Sequence, residues 1–321
     1  MTSLHFATPS PQLSPPVADT LFPRVLLAID FGSASLGAAR WATTHIASGG
    51  EAVLMHVVPS DVEPSTSGTH RDAEGESLRG LTPAITGGLG GFAATLDVAG
   101  ARSVVRHGRP SSSLAAVTND AGASVLVLGR RAAANRIRVG EPNVIERVTR
   151  RTNASVLVVP EGTTRAPDRV VAAVDDSRFA PLVLRIANRL ARLHEVPLTV
   201  LHVLSPVVGA YERLIRTAKH LPVSTEHRKS KKAPRAARLS PSTTRWLADL
   251  ARAHTVIGRD SIEVAMGDPA CEITRVVTER KASLLVIGRR GADEAPAGSI
   301  GSVARELLMR APVPVLAVNG I

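Results

Sequence analysis

Three glycines and a serine near the C-terminus, Gly288, Gly291, Gly301 and Ser302, stand in the spacing G-x2-G-x9-G-S within GRRGADEAPAGSIGSV. The segment follows the apolar run SLLVIG, which reads as a buried strand, and it leads into a predicted helix from about Ser302 to Arg310. Glycines let a backbone approach an anion closely. A helix N-terminus adds unpaired N–H groups and partial positive charge, which favour phosphate. Ser302 can cap that helix and donate its hydroxyl to a phosphate oxygen. Plain turn chemistry is the competing reading of the glycines, and the strand-loop-helix setting favours a phosphate cradle over it. No G-x4-G-K-[ST] occurs in the chain, so this is not a Walker loop. A dinucleotide fingerprint belongs after a first strand, and this segment follows a late one.

The elements that must hold the cradle are found by a search for internal repeats. RVLLAID (Arg24 to Asp30) is echoed by RVVAAVD (Arg169 to Asp175), and VLMHVV around His56 by TVLHVL around His202. From Gly108 to Val159 the chain matches Gly267 to Val318 without a gap. The chain is a tandem duplication. Within each copy short β-rich runs alternate with amphipathic stretches. In the second copy Leu182, Val183, Ile186, Ala187, Leu190 and Leu193 recur at helical steps after the strand VVAAV. Another helix is expected around Trp246, Leu247 and Leu250, and one more runs through Cys271 to Arg280. Such alternation predicts an α/β fold of two tandem, doubly wound domains, each with a parallel sheet flanked by helices. Ligands bind such sheets beyond the C-terminal strand ends, and Asp175, Val203, Gly267 and Gly288 fall at or near ends of that kind.

The expected boundaries are a Pro/Ser-rich tail over residues 1–22, a first domain over 23–160, a linker over 161–168 and a second domain over 169–321. The second copy is longer between His202 and Gly267, which points to a loop insertion at about 219–240. Formal net charge is +11. From Arg213 to Arg238 there are nine Lys/Arg against one acid, Glu226, so the basicity is local. Aromatic residues make up only 2% of the chain, so its cores must be built from Val, Leu, Ile and Ala. The single cysteine, Cys271, excludes an internal disulfide, and in a helix it reads as an inert thiol. The histidines lack H-x3-H or H-E-x2-H spacing, which argues against a metal centre, and His56 and His202 read as core histidines. No apolar stretch approaches the roughly eighteen residues a membrane span needs. The N-terminal stretch has neither a basic start nor an apolar core, so a cytoplasmic protein is expected.

The ungapped register also compares the two cradles. Gly129 stands at the position of Gly288, but Ala132 replaces Gly291, Pro142 replaces Gly301 and Asn143 replaces Ser302. Pro142 has no N–H to offer, and Ala132 disfavours positive φ. The first cradle is eroded, although Asp30 and Val57 keep the positions of Asp175 and Val203.

The blocks VVAAVDDS, LHV, VAMGDP and GRRGADEAPAGSIGSV resemble those of universal stress protein domains, and the resemblance runs from Arg24 onward as two tandem domains. The family likeness implies a five-stranded parallel sheet in the order 3-2-1-4-5 and pairing of domains through their last strands. It implies ATP, or another adenine nucleotide, with or without Mg2+, as the ligand. Asp175 would contact the ribose or adenine edge, Val203 would meet adenine through its backbone, and Gly267 would pack against the base. Gly288, Arg289, Gly291, Gly301 and Ser302 would hold ribose and phosphates, with Val303 beginning the helix. An aspartate at a strand end also caps helices, and on the residues alone both roles of Asp175 stand open.

The expectation is an adenine-nucleotide-binding stress or regulatory protein that binds in its second domain. The first domain would be its partner in an intramolecular pseudo-dimer, and a homodimer stays open. No carboxylate cluster or base for fast phosphoryl transfer is evident, so hydrolysis is expected to be absent or slow. A second reading makes the chain a nucleic-acid or acidic-partner adaptor through HRKSKKAPRAAR, against which stands the lack of interleaved aromatics. A third is a nucleotide-free dimerisation scaffold.

Overall fold

The computed structural model describes residues 20–59, 72–98, 100–131, 143–204, 261–290 and 299–319. The basic insertion, the expected helix around Trp246, Gly291, and the first-half positions Ala132 and Pro142 lie outside the described residues. In the first half the elements are β1 (Arg24–Ala28), α1 (Ser33–His45), β2 (Glu51–Val58), α2 (Asp72–Ala93), β3 (Gly100–His107), α3 (Pro110–Asp120), β4 (Val125–Arg130), α4 (Val144–Arg151) and β5 (Ser155–Pro160). The second half follows with β6 (Val170–Ala173), α5 (Ala180–Leu193), β7 (Leu198–Leu204), β8 (Ser261–Met266), α6 (Pro269–Glu279), β9 (Leu284–Gly288), α7 (Ser302–Arg310) and β10 (Val315–Val318).

The strands form one ten-stranded sheet in the order β3-β2-β1-β4-β5-β10-β9-β6-β7-β8. Each half is parallel and runs 3-2-1-4-5 in its own strand numbering. The two sheets expected from the sequence are fused at their last strands, where β5 and β10 pair antiparallel, Leu157 opposite Leu316. Val156, Leu157, Val158, Val315, Leu316 and Ala317 are all essentially inaccessible there. Each Val or Leu side chain so covered stabilises the fold by about 1.5–3 kcal/mol, so the junction is core and not a surface contact between separate bodies.

Continuous apolar strands follow from burial on both faces. One layer holds α1, α2 and α5 against the sheet, with Trp41, Leu89 and Leu184 in its core. The other holds α3, α4, α6 and α7, with Leu114, Val148, Val276 and Leu307. Each core extends across both halves. The chain enters the fold earlier than expected. Phe22, assigned to the tail, is only 3% exposed and belongs to the first core, with Leu21 packed against it. Along α5 the buried face comprises Val183, Leu184, Ala187, Leu190 and Ala191, and Leu193 is exposed. Periodicity located that helix, but the sheet it rests on sets its rotation. The linker is tied down: Trp41 Nε1 donates to the Arg165 carbonyl at 2.8 Å, and Asp168 N donates to Ser283 Oγ at 2.7 Å.

Candidate functional site

Beyond the C-terminal ends of β6, β7 and β9 lies a cavity of about 440 Å³, within the range of small-molecule sites. Ala173, Leu201, Ile273 and Ile287 give it an apolar floor. Asp175, Val203 and Gly288 reach it from the strand ends, and Gly301, Ser302 and Val303 from the start of α7. Six of the residues singled out in the sequence therefore meet around one space. Gly291 lies outside the described residues.

Two positions fall elsewhere. Gly267 does not line the cavity: its N–H donates to the Leu204 carbonyl at 3.0 Å, and a Cβ there would lie 2.8 Å from Glu272 Cγ. The neighbouring wall is supplied by Pro269. Arg289 points away altogether. Its side chain is 3% exposed, and its Nη1 donates to the carbonyls of Thr149, at 3.0 Å, and Thr152 in the first half. Strand β9 ends at Gly288 and the chain bends at Arg289 and Arg290, while the Arg289 N–H is still held by Val318 O at 2.9 Å. Gly288 and Arg290 line the cavity, and the Arg289 side chain is taken up by the first half. Arg290 is not among the residues singled out in the sequence.

The N-terminus of α7 is built to receive an anion. Its N-cap, Gly301, makes no side-chain cap, and no acid stands in the first turn. The leading N–H groups of the helix therefore face the cavity without the usual side-chain acceptor. Arg290 supplies a cation, its guanidinium 5.7 Å from the Phe179 ring centroid, while Arg178 lies 4.9 Å from the same ring. Among the described residues, Ser299 Oγ and Arg290 Nε are buried without a hydrogen-bond partner.

Behind the strand ends two histidines play matching parts. His202 Nδ1 donates to the Val174 carbonyl at 2.9 Å, and His56 Nδ1 to Ile29 O at 2.7 Å. A carbonyl only accepts, so Nδ1 carries the proton in both. Each histidine thus steadies the residue just before the aspartate, Asp175 or Asp30. Asp175 accepts from Ser177 N at 3.2 Å, so it also shapes the turn into α5.

At the equivalent strand end of the first half, α1 lies closer to the sheet. A Cβ on Gly129 would lie 2.3 Å from Ala34 C and O, so the backbone of α1 rests on this strand end. The cause is a shorter turn. Phe31, at φ 59, takes the left-handed conformation and α1 starts at Ser33, whereas α5 starts only at Ala180. Phe179 Cβ is consequently 4.0 Å from a Cβ built on Gly288. Arg131, at the position of Arg290, closes on Asp30 at 2.9 Å. Burial raises the Asp30 pKa, but hydrogen bonds from Ser35 and Gly32, with the Arg131 charge, outweigh it and hold the carboxyl below its ordinary value. Finally, α4 caps itself: Asn143 Oδ1 accepts from Ile145 N at 3.2 Å, and Glu146 occupies the first turn.

A model of the Universal stress protein family matches residues 21–160 and 167–319. Universal stress protein Rv2623 of Mycobacterium tuberculosis is 26% identical over 162 residues, covering 47% of this chain and 47% of that protein. The chain thus spans about half the length of the curated relatives it matches. A universal stress protein from Archaeoglobus fulgidus DSM 4304 has a similar solved structure, with a TM-score of 0.61 at 16% identity over 93% of this chain and 99% of that one. A functionally unknown protein of Pseudomonas aeruginosa PAO1 gives a TM-score of 0.53 at 13% identity, over 93% and 92%. At these identities the structures share the fold.

Proposed function

The chain belongs to the universal stress protein family, and from that premise we propose that its second half binds ATP or another adenine nucleotide in a stress-response or regulatory role. The observation that carries the reading is the uncapped start of α7, which opens into a cavity where Arg290 supplies a cation. The phosphates would lie against the N–H groups of Ser302 and Val303 and the Ser302 hydroxyl, where the helix dipole favours negative charge. Gly288 leaves room for the ribose, and Asp175 can accept a ribose hydroxyl. The backbone at Val203 would meet the base over the apolar floor. The first half, with α1 drawn onto Gly129 and Asp30 engaged by Arg131, serves as the paired scaffold. Mg2+ would bind through the phosphates, and hydrolysis is slow or absent.

The decisive experiment is isothermal titration with ATP on the wild-type chain and on Gly301→Asp. That substitution gives α7 a cap of the kind Asn143 gives α4, together with a negative charge where phosphate would sit. One site per chain is expected in the wild type. The variant should lose ATP while keeping its melting temperature, because aspartate is a good N-cap. Unchanged ATP affinity in the variant would sink the assignment.

A further inference from the structure

The sequence GRR ends the fourth strand of both halves, and the structure shows what its first arginine does. Arg130 crosses from β4 to the other half: its Nη1 donates to the Met309 carbonyl at 2.7 Å and its Nη2 to the Ala311 carbonyl. These carbonyls close the C-terminal end of α7. Arg289, the matching residue of the second half, does the same at the C-terminal end of α4, on Thr149 and Thr152. The two arginines form a reciprocal clasp about the β5–β10 junction.

The clasp is built of one buried and one half-buried cation facing helix carbonyls. Arg289 is nearly inaccessible, and the Nε atoms of both arginines are buried without a hydrogen-bond partner among the described residues. Burial lowers the pKa of both guanidinium groups, that of Arg289 to about 10 with the neighbouring Arg290 charge assisting. A buried cation at such a place is stabilised by the negative end of a helix dipole and by carbonyls that otherwise lack partners.

The two clasped helices differ at their other ends. The N-terminus of α4 is filled by Asn143 and Glu146. That of α7 opens on the cavity and is tied to β9 by Gly301 N, which donates to the Arg289 carbonyl at 3.0 Å. Helix α7 is thus held at one end beside the cavity and at the other by a residue of the first half.

We propose that Arg130, contributed by the first half, is a positioning residue for the anion site of the second half: by clasping Met309 and Ala311 it sets α7 so that its leading N–H groups meet the ligand's phosphates. This rests on the nucleotide reading above and adds to it a reason for the duplication, since the site takes one of its supports from the other half. The nucleoside side, which takes Asp175 and Val203 from the ends of β6 and β7 and not from α7, is the less affected, so the effect falls mainly on the phosphates.

Titration of the full-length chain with ATP and, separately, with adenosine tests the idea. Arg130→Met should weaken ATP about fivefold, the scale of one helix-terminal charge, and leave adenosine unchanged. Arg130→Lys, which keeps the charge but loses the fork, should recover part of the ATP affinity. ATP affinity unaltered by Arg130→Met overturns the assignment, and so does an equal loss of both ligands, which marks a general loss of structure. A wild-type chain that binds no ATP overturns the nucleotide reading as well.

Discussion

In the first half the guanidinium of Arg131 lies 2.9 Å from the carboxylate of Asp30, across the space where the second half keeps a cavity between Arg290 and Asp175. Both partners of the pair are more than half exposed, so it contributes little stability, about 0–1 kcal/mol. Arg131→Ala should therefore leave the melting temperature nearly unchanged. It should also fail to create a second nucleotide site, because Ala34 still covers Gly129 and Asn143 still caps α4. Titration with ATP should give one site per chain for the variant. A stoichiometry of two would show that the ion pair alone had closed the first half.

The glycines at the two fourth-strand ends should respond differently to an added methyl group. At Gly129 the new Cβ would meet the backbone of Ala34 at 2.3 Å, which no side-chain rotation relieves. Gly129→Ala should cost about 3 kcal/mol by overpacking, seen as a lowered denaturant midpoint. At Gly288 the nearest atom is Arg290 O at 3.0 Å, so Gly288→Ala should cost about 1 kcal/mol or less. Its larger effect should be on ATP, whose affinity should fall about tenfold as the methyl enters the cavity.

Acid should loosen the meeting of α1 and α5. His45 and His194 face each other with ring centroids 5.7 Å apart, and His194 Nε2 donates to the His45 carbonyl at 2.7 Å. Burial, with the His194 charge adding, pushes the His45 pKa below its ordinary 6.5. The unfolded chain therefore binds the extra proton first. Stability is full above pH 6.5 and falls as the pH drops from there toward the folded-state value. The melting temperature should decline between pH 7.5 and 5.5, and His45→Gln should flatten that decline.

The lone thiol should be slow to react. Cys271 is exposed, but its hydrogen bond to the Asp268 carboxylate, and that group's charge, raise its pKa above the ordinary 9.0. Asp268 also caps α6 by accepting from Cys271 N at 3.0 Å. Asp268→Asn keeps a capping side chain and removes the charge. Alkylation by iodoacetamide at pH 8 should become severalfold faster in the variant. An unchanged rate would show that the carboxylate does not govern the thiol.

How far the chain can be read in advance is seen at particular residues. Duplication and strand positions were legible because each half repeats the other and because buried parallel strands are nearly pure Val, Leu, Ile and Ala, whereas the 3-2-1-4-5 order came only from the family resemblance. The meeting of Asp175, Val203, Gly288 and Gly301 was legible because strand ends and the following helix start converge in this topology. Arg289 was misplaced, since two adjacent arginines look alike in a string and only the fold sends one to the Thr149 and Thr152 carbonyls and the other to the cavity. Phe22 was misplaced too, because a Pro/Ser-rich neighbourhood hid two apolar residues that the core takes up.

The sequence by itself determined the repeat, the α/β alternation of each half and which of the matched positions lack a glycine or an N–H, for these depend on composition, spacing and the presence or absence of a Cβ or an N–H. Only the tertiary structure decided how closely α1 approaches the end of β4. That outcome turns on a left-handed residue, Phe31, which starts α1 early and lays its backbone on Gly129. Only the tertiary structure, likewise, joined Arg130 to Met309 and Arg289 to Thr149, because such contacts form when β5 and β10 pair and bring helix ends distant in sequence against the opposite half.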